Sequence, residues 1–189
     1  IRTLVGLQDA LGGKIEIKNK KLNKISLAEK SKLISWVLTD AMPTGSLKVS
    51  EIVEMGRFPY TNLFGKLSEN DKKIIDDAIE AVHLSHKKDY RYSSLSDGEK
   101  QRTMIAKALA QDTPIIFLDE PTSHLDLPNT IEIMQLLQSL ARKTKKAILL
   151  STHELELTLQ VADKIWMMTP NKLTRGLPED LILSGSLQK

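Results

Sequence analysis

The chain contains 189 residues, of which 41% are hydrophobic and 27% are charged, as is typical of a globular domain with its own core. The net charge is only +3, so charge alone gives no reason to expect a nucleic acid as a partner. There is no cysteine, which excludes disulfides and cysteine-based metal sites, and no apolar run reaches the roughly 18–20 residues that span a bilayer.

The first forty residues predict short elements of both types. Residues 14–17 alternate between polar and apolar side chains, as in a half-exposed strand. Ser26 and Glu29 have the spacing of a capping box and predict a short helix. The apolar segment at residues 33–38 predicts a strand. The chain therefore begins with the mixture of elements expected of an α/β fold.

The next seventy residues carry helix signals and no strand signals. Residues 49–55 predict a helix, with Ser50 as its cap and Gly56 as its end. A polar and aromatic loop is expected at residues 57–62, and Ser68 begins a longer helix with one apolar face.

Two histidines, His83 and His86, follow near the end of that helix at a spacing that could hold a metal ion. No third histidine accompanies them in the sequence, and cations are favoured at helix C-termini. We therefore interpret them as solvated side chains.

The segment at residues 93–102 predicts a helix start suited to an anion. Ser96 can cap the helix and Glu99 completes a capping box, while Gly98 has no side chain that would keep a ligand from the backbone. The first N–H groups of a helix are unpaired and carry partial positive charge, which attracts phosphate. Capping boxes also begin ordinary structural helices, so that alternative stays open on this motif alone.

Two carboxylates follow a buried strand further along the chain. Residues 115–118 are apolar, as in the central strand of a parallel sheet, and Asp119 and Glu120 come directly after them. The apolar residues 147–150 predict a neighbouring strand, with His153 close behind it. Ligands of open α/β sheets bind beyond such strand ends, where one acid suits Mg²⁺ and another suits a water molecule. Singly, these residues could also be a strand end and a surface histidine.

Four of these segments resemble motifs of the ATP-binding-cassette ATPases, in the family's order. Residues 95–99 resemble the signature motif Leu-Ser-Gly-Gly-Gln, and residues 115–120 resemble the Walker B strand with its catalytic glutamate. Residues 123–126 resemble the D-loop, and His153 resembles the switch histidine. The resemblance implies an α/β fold of the P-loop NTPase type, in which a mostly parallel sheet carries an inserted helical subdomain.

That fold divides the chain into three segments. Residues 1–39 are expected to form part of the nucleotide-binding α/β core, residues 40–111 the helical subdomain with the signature motif, and residues 112–189 the remainder of the core. The phosphate loop Gly-x-x-x-x-Gly-Lys-Ser/Thr does not occur in the sequence. We therefore expect that the chain begins just after this loop, that the fold is incomplete, and that the chain alone hydrolyses ATP poorly.

The resemblance also implies roles for individual residues in a head-to-tail homodimer that encloses two ATP molecules. Asp119 would hold Mg²⁺, Glu120 would polarise the attacking water, and His153 would contact the γ-phosphate. The implied nucleotide-contacting and coupling residues are Ser96, Asp97, Gly98, Glu99, Ser123, Asp126 and Thr39. Thr39 stands where the family usually has a glutamine.

Two acids in the signature segment depart from the family pattern. Asp97 and Glu99 replace a glycine and a glutamine, and both would repel a γ-phosphate unless they turn away or pair with Lys100 or Arg102. The capping box could also occupy Glu99.

A further segment of the sequence indicates the class of transporter to which the chain would belong. Residues 56–60 resemble a segment of the ATPases of ferric-siderophore, haem and cobalamin importers, whose helical subdomain docks on a membrane permease. The implied protein is a peripheral ATPase subunit on the cytoplasmic face of the inner membrane, without a nucleic-acid partner. Two alternatives remain. One is a soluble ABC-type ATPase without a transport role, and the other is an inactive fragment that acts only as an interaction module.

Overall fold

The computed structural model describes residues 1–37, 45–61, 65–169 and 172–185. Thr39 and most of the loop predicted over residues 39–47 lie outside these ranges. The seven strands of the described residues are β1 Glu16–Ile17, β2 Lys20–Lys21, β3 Ile34–Val37, β4 Ile115–Asp119, β5 Ala147–Ser151, β6 Ile165–Thr169 and β7 Lys172–Gly176. The seven α-helices are α1 Leu27–Lys30, α2 Val49–Glu54, α3 Glu69–Ala81, α4 Asp97–Ala110, α5 Leu127–Thr144, α6 Leu155–Val161 and α7 Pro178–Leu183.

Strands β3, β4 and β5 form a parallel sheet with β4 in the middle. Ile34 of β3 is opposite Ile115 of β4, which is opposite Ala147 of β5. The central position of β4 explains its apolar sequence, because both of its faces are covered. The register also aligns the strand ends, with Asp119 opposite Ser151.

Each face of the sheet packs on its own hydrophobic core. Ile116 and Leu118 join a core that contains buried residues of α2, α3, α4 and α5. Phe117 points to the opposite face, where it packs with Val5, Leu22, Ile25 and other buried residues near the start of the chain. This alternation follows from the two-residue repeat of a strand.

The described elements between β3 and β4 are helices, among them a 3-10 helix at Met55–Tyr60 and a longer α3. The helix start at Ser68 and the apolar face of α3 are confirmed, with Ile75, Ala78 and Ile79 buried, and Ser68 forms a capping box with Asp71. His83 and His86 are exposed, as predicted.

The helix predicted at residues 49–55 is confirmed as α2, but its predicted cap is wrong. The N-cap is Lys48, two residues before Ser50, and the Glu51 carboxylate accepts a hydrogen bond from the Lys48 backbone N–H at 2.7 Å. Gly56 does not end the helical structure, because the 3-10 helix at Met55–Tyr60 follows α2 directly. A Cβ at Gly56 would lie 2.3 Å from the Lys107 carbonyl oxygen, so the glycine allows the 3-10 helix and α4 to approach each other closely.

The last strands form a separate ribbon. Strand β6 has an apolar sequence and pairs antiparallel with β7, whose sequence is mostly polar. Among the helices of the described residues, none combines the length and the apolar character that a membrane span requires.

Candidate functional site

Asp119 and Glu120 lie at the carboxyl end of the central strand, as predicted. Oδ1 of Asp119 accepts a hydrogen bond from the Ser151 hydroxyl at 2.7 Å. The Glu120 N–H donates to both the carbonyl and the hydroxyl oxygen of Ser151, at 3.1 Å each. Ser151 thus fixes both residues, a role that the sequence did not indicate because it depends on strand register.

The backbone of Glu120 has a φ of +43°, a conformation that costs free energy for any residue with a side chain. The two hydrogen bonds from its N–H to Ser151 hold this conformation. The carboxylate is half-exposed. Strained backbone of this kind is concentrated at functional sites.

His153 joins the same edge of the sheet. Its Nδ1 lies 3.9 Å from Oε2 of Glu120, and its Nε2 lies 3.6 Å from Oε1 of Glu154. Both distances exceed those of a hydrogen bond. The imidazole is 67% exposed and can turn toward a ligand beyond the strand ends.

The D-loop segment follows directly. The Ser123 N–H donates to the Glu120 carbonyl at 3.2 Å. Asp126 caps helix α5, because its Oδ1 accepts from the Asn129 backbone N–H at 3.1 Å and from the Asn129 amide at 2.7 Å. Asp126 therefore has a structural role in this chain, and its predicted coupling role remains a prediction.

The helix start at Ser96 has the predicted capping box. The Ser96 hydroxyl accepts from the Glu99 N–H at 3.3 Å, and the Glu99 carboxylate accepts from the Ser96 N–H at 3.0 Å. Helix α4 then buries an apolar face, which includes Met104, Ile105 and Ala108.

Both acids of this segment have cationic partners. Lys100 lies 2.9 Å from Asp97, as the sequence suggested, whereas Arg102 pairs with Glu132 instead. The second partner was not predicted: Lys87 lies 2.6 Å from Oε1 of Glu99. The Lys87 hydrogen bond is the main cause that lowers the pKa of Glu99, with the Ser96 backbone N–H adding to it against partial burial.

Gly98 is buried, and the space that a side chain would fill is occupied by Asn129. A Cβ at Gly98 would lie 2.6 Å from Oδ1 of Asn129. Because Asp126 holds that amide, the D-loop and the signature helix touch within one chain. The glycine is thus required by packing.

Arg57 belongs to the segment that was predicted to be a polar loop, yet it is buried. Its Nε donates to Asp71 at 2.8 Å, and one terminal nitrogen donates to the Ala110 carbonyl at 2.8 Å. The guanidinium also lies 4.1 Å from the centroid of the Tyr60 ring. Arg57 therefore joins the 3-10 helix to α3 and to the end of α4.

The donor set at the strand ends suits Mg²⁺. This ion prefers oxygen ligands and is usually held by one or two carboxylates together with waters and substrate phosphates. Asp119 and Glu120 supply such carboxylates next to each other, with Ser151 alongside. In the described residues no group of three acidic or histidine side chains is arranged to hold a metal ion.

The sequence is similar to many ATP-binding proteins of transporters. Residues 1–123 match the family model described as ABC transporter. An uncharacterized ABC transporter ATP-binding protein of Methanocaldococcus jannaschii is 38% identical over 171 residues, which are 90% of this chain and 59% of that protein. The probable siderophore transport system ATP-binding protein YusV of Bacillus subtilis is 32% identical over 189 residues, all of this chain and 69% of that protein.

The fold is similar to solved ATP-binding cassettes as well. One example is the structure of cbiO1 from Clostridium perfringens, which is part of the ABC transporter complex cbiONQ. The match has a TM-score of 0.84 at 26% identity and spans 98% of this chain and 74% of the cbiO1 chain. The chain thus spans about six to seven tenths of the length of the two curated relatives. The matching family model, the relatives and the α/β fold with its parallel sheet confirm the predicted resemblance, and the chain belongs to the ABC transporter family of ATP-binding cassettes.

Proposed function

We propose that the complete protein is the ATP-binding subunit of an ABC importer and couples ATP hydrolysis to the uptake of an iron complex. The probable siderophore transport system ATP-binding protein of Bacillus subtilis supports the choice of cargo, since the similarity extends over all 189 residues of this chain. Siderophores are iron chelators, so an iron complex is the cargo class that we prefer.

The observation that carries the ATPase proposal is the meeting of Asp119, Glu120 and His153 at one edge of the parallel sheet. Asp119 would hold Mg²⁺, which would neutralise charge on the phosphates. Glu120 would orient the attacking water, and its half-exposed carboxylate is free to do so. His153 would contact the γ-phosphate, a role supported by its exposure and its nearness to Glu120.

The signature helix would serve a second protomer. The N–H groups of Asp97 and Gly98 lie in the first turn of helix α4, where backbone N–H groups have no carbonyl partner within the helix and suit a phosphate. In a head-to-tail homodimer they would meet the partner's ATP, with Ser123 and Asp126 coupling the two sites. The helices between β3 and β4 support the assignment of residues 40–111 as a helical subdomain within the core.

The permease would dock beside the 3-10 helix at Met55–Tyr60. Phe58 is 61% exposed there, next to the buried anchor Arg57. An exposed aromatic side chain on a rigid support suits a protein partner. Docking on a permease would keep the protein at the cytoplasmic face of the inner membrane.

The test is ATP hydrolysis by the complete gene product, alone and reconstituted with the permease encoded beside it. We expect Mg²⁺-dependent hydrolysis that rises when the permease receives a ferric siderophore complex. A rate of hydrolysis that does not change when the permease is present would favour the alternative of a soluble ATPase without a transport role. Absence of hydrolysis and of ATP binding in the complete protein would leave only the interaction module.

A further inference from the structure

The anion-facing start of α4 carries two acids, Asp97 and Glu99, whose charges would oppose a phosphate. Each acid has an ammonium partner, but the two pairs differ in origin and in burial. Asp97 pairs with Lys100 of the same helix and its side chain is 69% exposed, so water already screens its charge.

The Glu99 pair is more protected. Lys87 comes from the 3-10 helix Ser85–Lys87, which follows α3, and lies 12 residues before Glu99. Its side chain is 27% exposed and that of Glu99 is 24% exposed. Partly buried charges are less screened by salt, so an unpaired Glu99 would act strongly on a nearby phosphate.

The two oxygens of Glu99 have different tasks. Oε1 receives the Lys87 ammonium at 2.6 Å, while Oε2 accepts the Ser96 N–H at 3.0 Å. Lys87 is itself held near the Tyr90 ring, with 5.7 Å from its Nζ to the ring centroid. At this capped helix start, the Lys87 ammonium therefore neutralises the charge of the Glu99 carboxylate.

We propose that Lys87 is a positioning residue of the ATP site: it cancels the charge of Glu99 and so allows a glutamate to occupy the signature segment beside the partner's γ-phosphate. This inference rests on the proposed function, because it assumes that the start of α4 meets ATP. It assigns to Lys87 a role that the signature segment alone does not reveal.

The experiment compares kcat and KM for Mg-ATP in the complete protein and in three variants. Lys87→Met leaves Glu99 charged and should lower kcat/KM about tenfold, mainly through a higher KM, because a negative charge then faces the phosphate across partly buried surface. The double variant Lys87→Met with Glu99→Gln should recover most of that loss. Lys88→Met is the matched control, since Lys88 pairs with the exposed Asp76 at 3.4 Å and should stay within about twofold of the unmodified protein.

The double variant separates an electrostatic role from a purely structural one. If Lys87 only stabilised the fold, Glu99→Gln would not restore kcat/KM, and that outcome overturns the inference, as would Lys87→Met that behaves like Lys88→Met. Thermal unfolding of each variant checks that the activities compare folded proteins. An unmodified complete protein without ATP turnover would overturn the proposed function and this inference together.

Discussion

The strand-end site and the start of the signature helix carry the same family's motifs but are built in opposite ways. At the strand ends, Glu120 is half-exposed, His153 is 67% exposed, and the two lie 3.9 Å apart. At the helix start, Glu99 is largely buried and bonded to both Lys87 and Ser96.

This difference indicates that the two regions have different roles. The open site has side chains that can still turn toward a nucleotide, whereas the helix start is already fixed by its own contacts. Substitutions at the strand ends should therefore change turnover with little effect on stability. Substitutions in the helical region should act on stability first.

The sharpest test of the open site is Glu120→Gln in the complete protein. We expect ATP turnover to fall by at least about a hundredfold, because the amide is a poor base for the attacking water. ATP binding should persist, and the free energy of unfolding should change by less than about 0.5 kcal/mol, as for surface substitutions. Single-turnover hydrolysis, nucleotide binding and urea unfolding measure the three quantities, and normal turnover would remove Glu120 from the proposed chemistry.

The largest expected stability effect lies in the helical region, at Arg57→Met. Removing the guanidinium leaves the Asp71 carboxylate buried without its ion pair and should cost about 3–5 kcal/mol of unfolding free energy. Lys72→Met, which breaks the exposed pair with Glu69, is the control and should leave stability close to that of the unmodified protein. Equal effects of both variants in urea unfolding would contradict the contrast between buried and exposed pairs.

A smaller effect is expected for Gly98→Ala. The added Cβ would meet Oδ1 of Asn129, so Asn129 must turn away and lose its hydrogen bond to Asp126. We expect a loss of about 1–2 kcal/mol of unfolding free energy. In an Asn129→Ala background, Gly98→Ala should lower the unfolding free energy by a smaller amount. An equal loss in both backgrounds would show that the contact with Asn129 is not what excludes a side chain at position 98.

The smallest effect concerns Ser68, whose hydroxyl caps α3 and donates to Asp71. The hydrogen bonds from Ser68 are the main cause that lowers the pKa of Asp71, with Arg57 adding to them. A carboxyl pKa lowered by folding stabilises the native state at neutral pH, and this contribution is lost as pH falls below the ordinary value of 3.8 and through the native pKa.

Ser68→Ala should therefore cost about 1 kcal/mol at pH 7 and reduce the further loss on acidification. The measurement is the difference in unfolding free energy between neutral and acidic pH for both proteins. A steeper acid dependence in the variant would contradict the assigned cause of the pKa shift.

The parts that sequence predicted well are those set by neighbouring residues. The capping boxes at Ser26 and Ser96 and the helix start at Ser68 were confirmed because each depends on residues three positions apart. The central strand β4 was confirmed because its apolar run matches burial on both faces.

The parts that sequence missed depend on contacts across the fold. Arg57 was placed in a polar loop, since nothing near it in sequence indicates that Asp71 would follow it into the interior. The pairing of Lys87 with Glu99 and the contact of Asn129 with Gly98 likewise join separate segments. Strand β7 was missed because it has few apolar residues and is defined by its pairing with β6.

The conformation of Glu120 bears on any attempt to engineer this protein. A φ of +43° suits glycine or asparagine better than glutamate, so a redesign for thermal stability alone would select one of those at this position. Such a variant would gain robustness at the expense of the proposed water-orienting carboxylate. Stability-guided libraries of this cassette should therefore hold position 120 constant and vary the helical region instead.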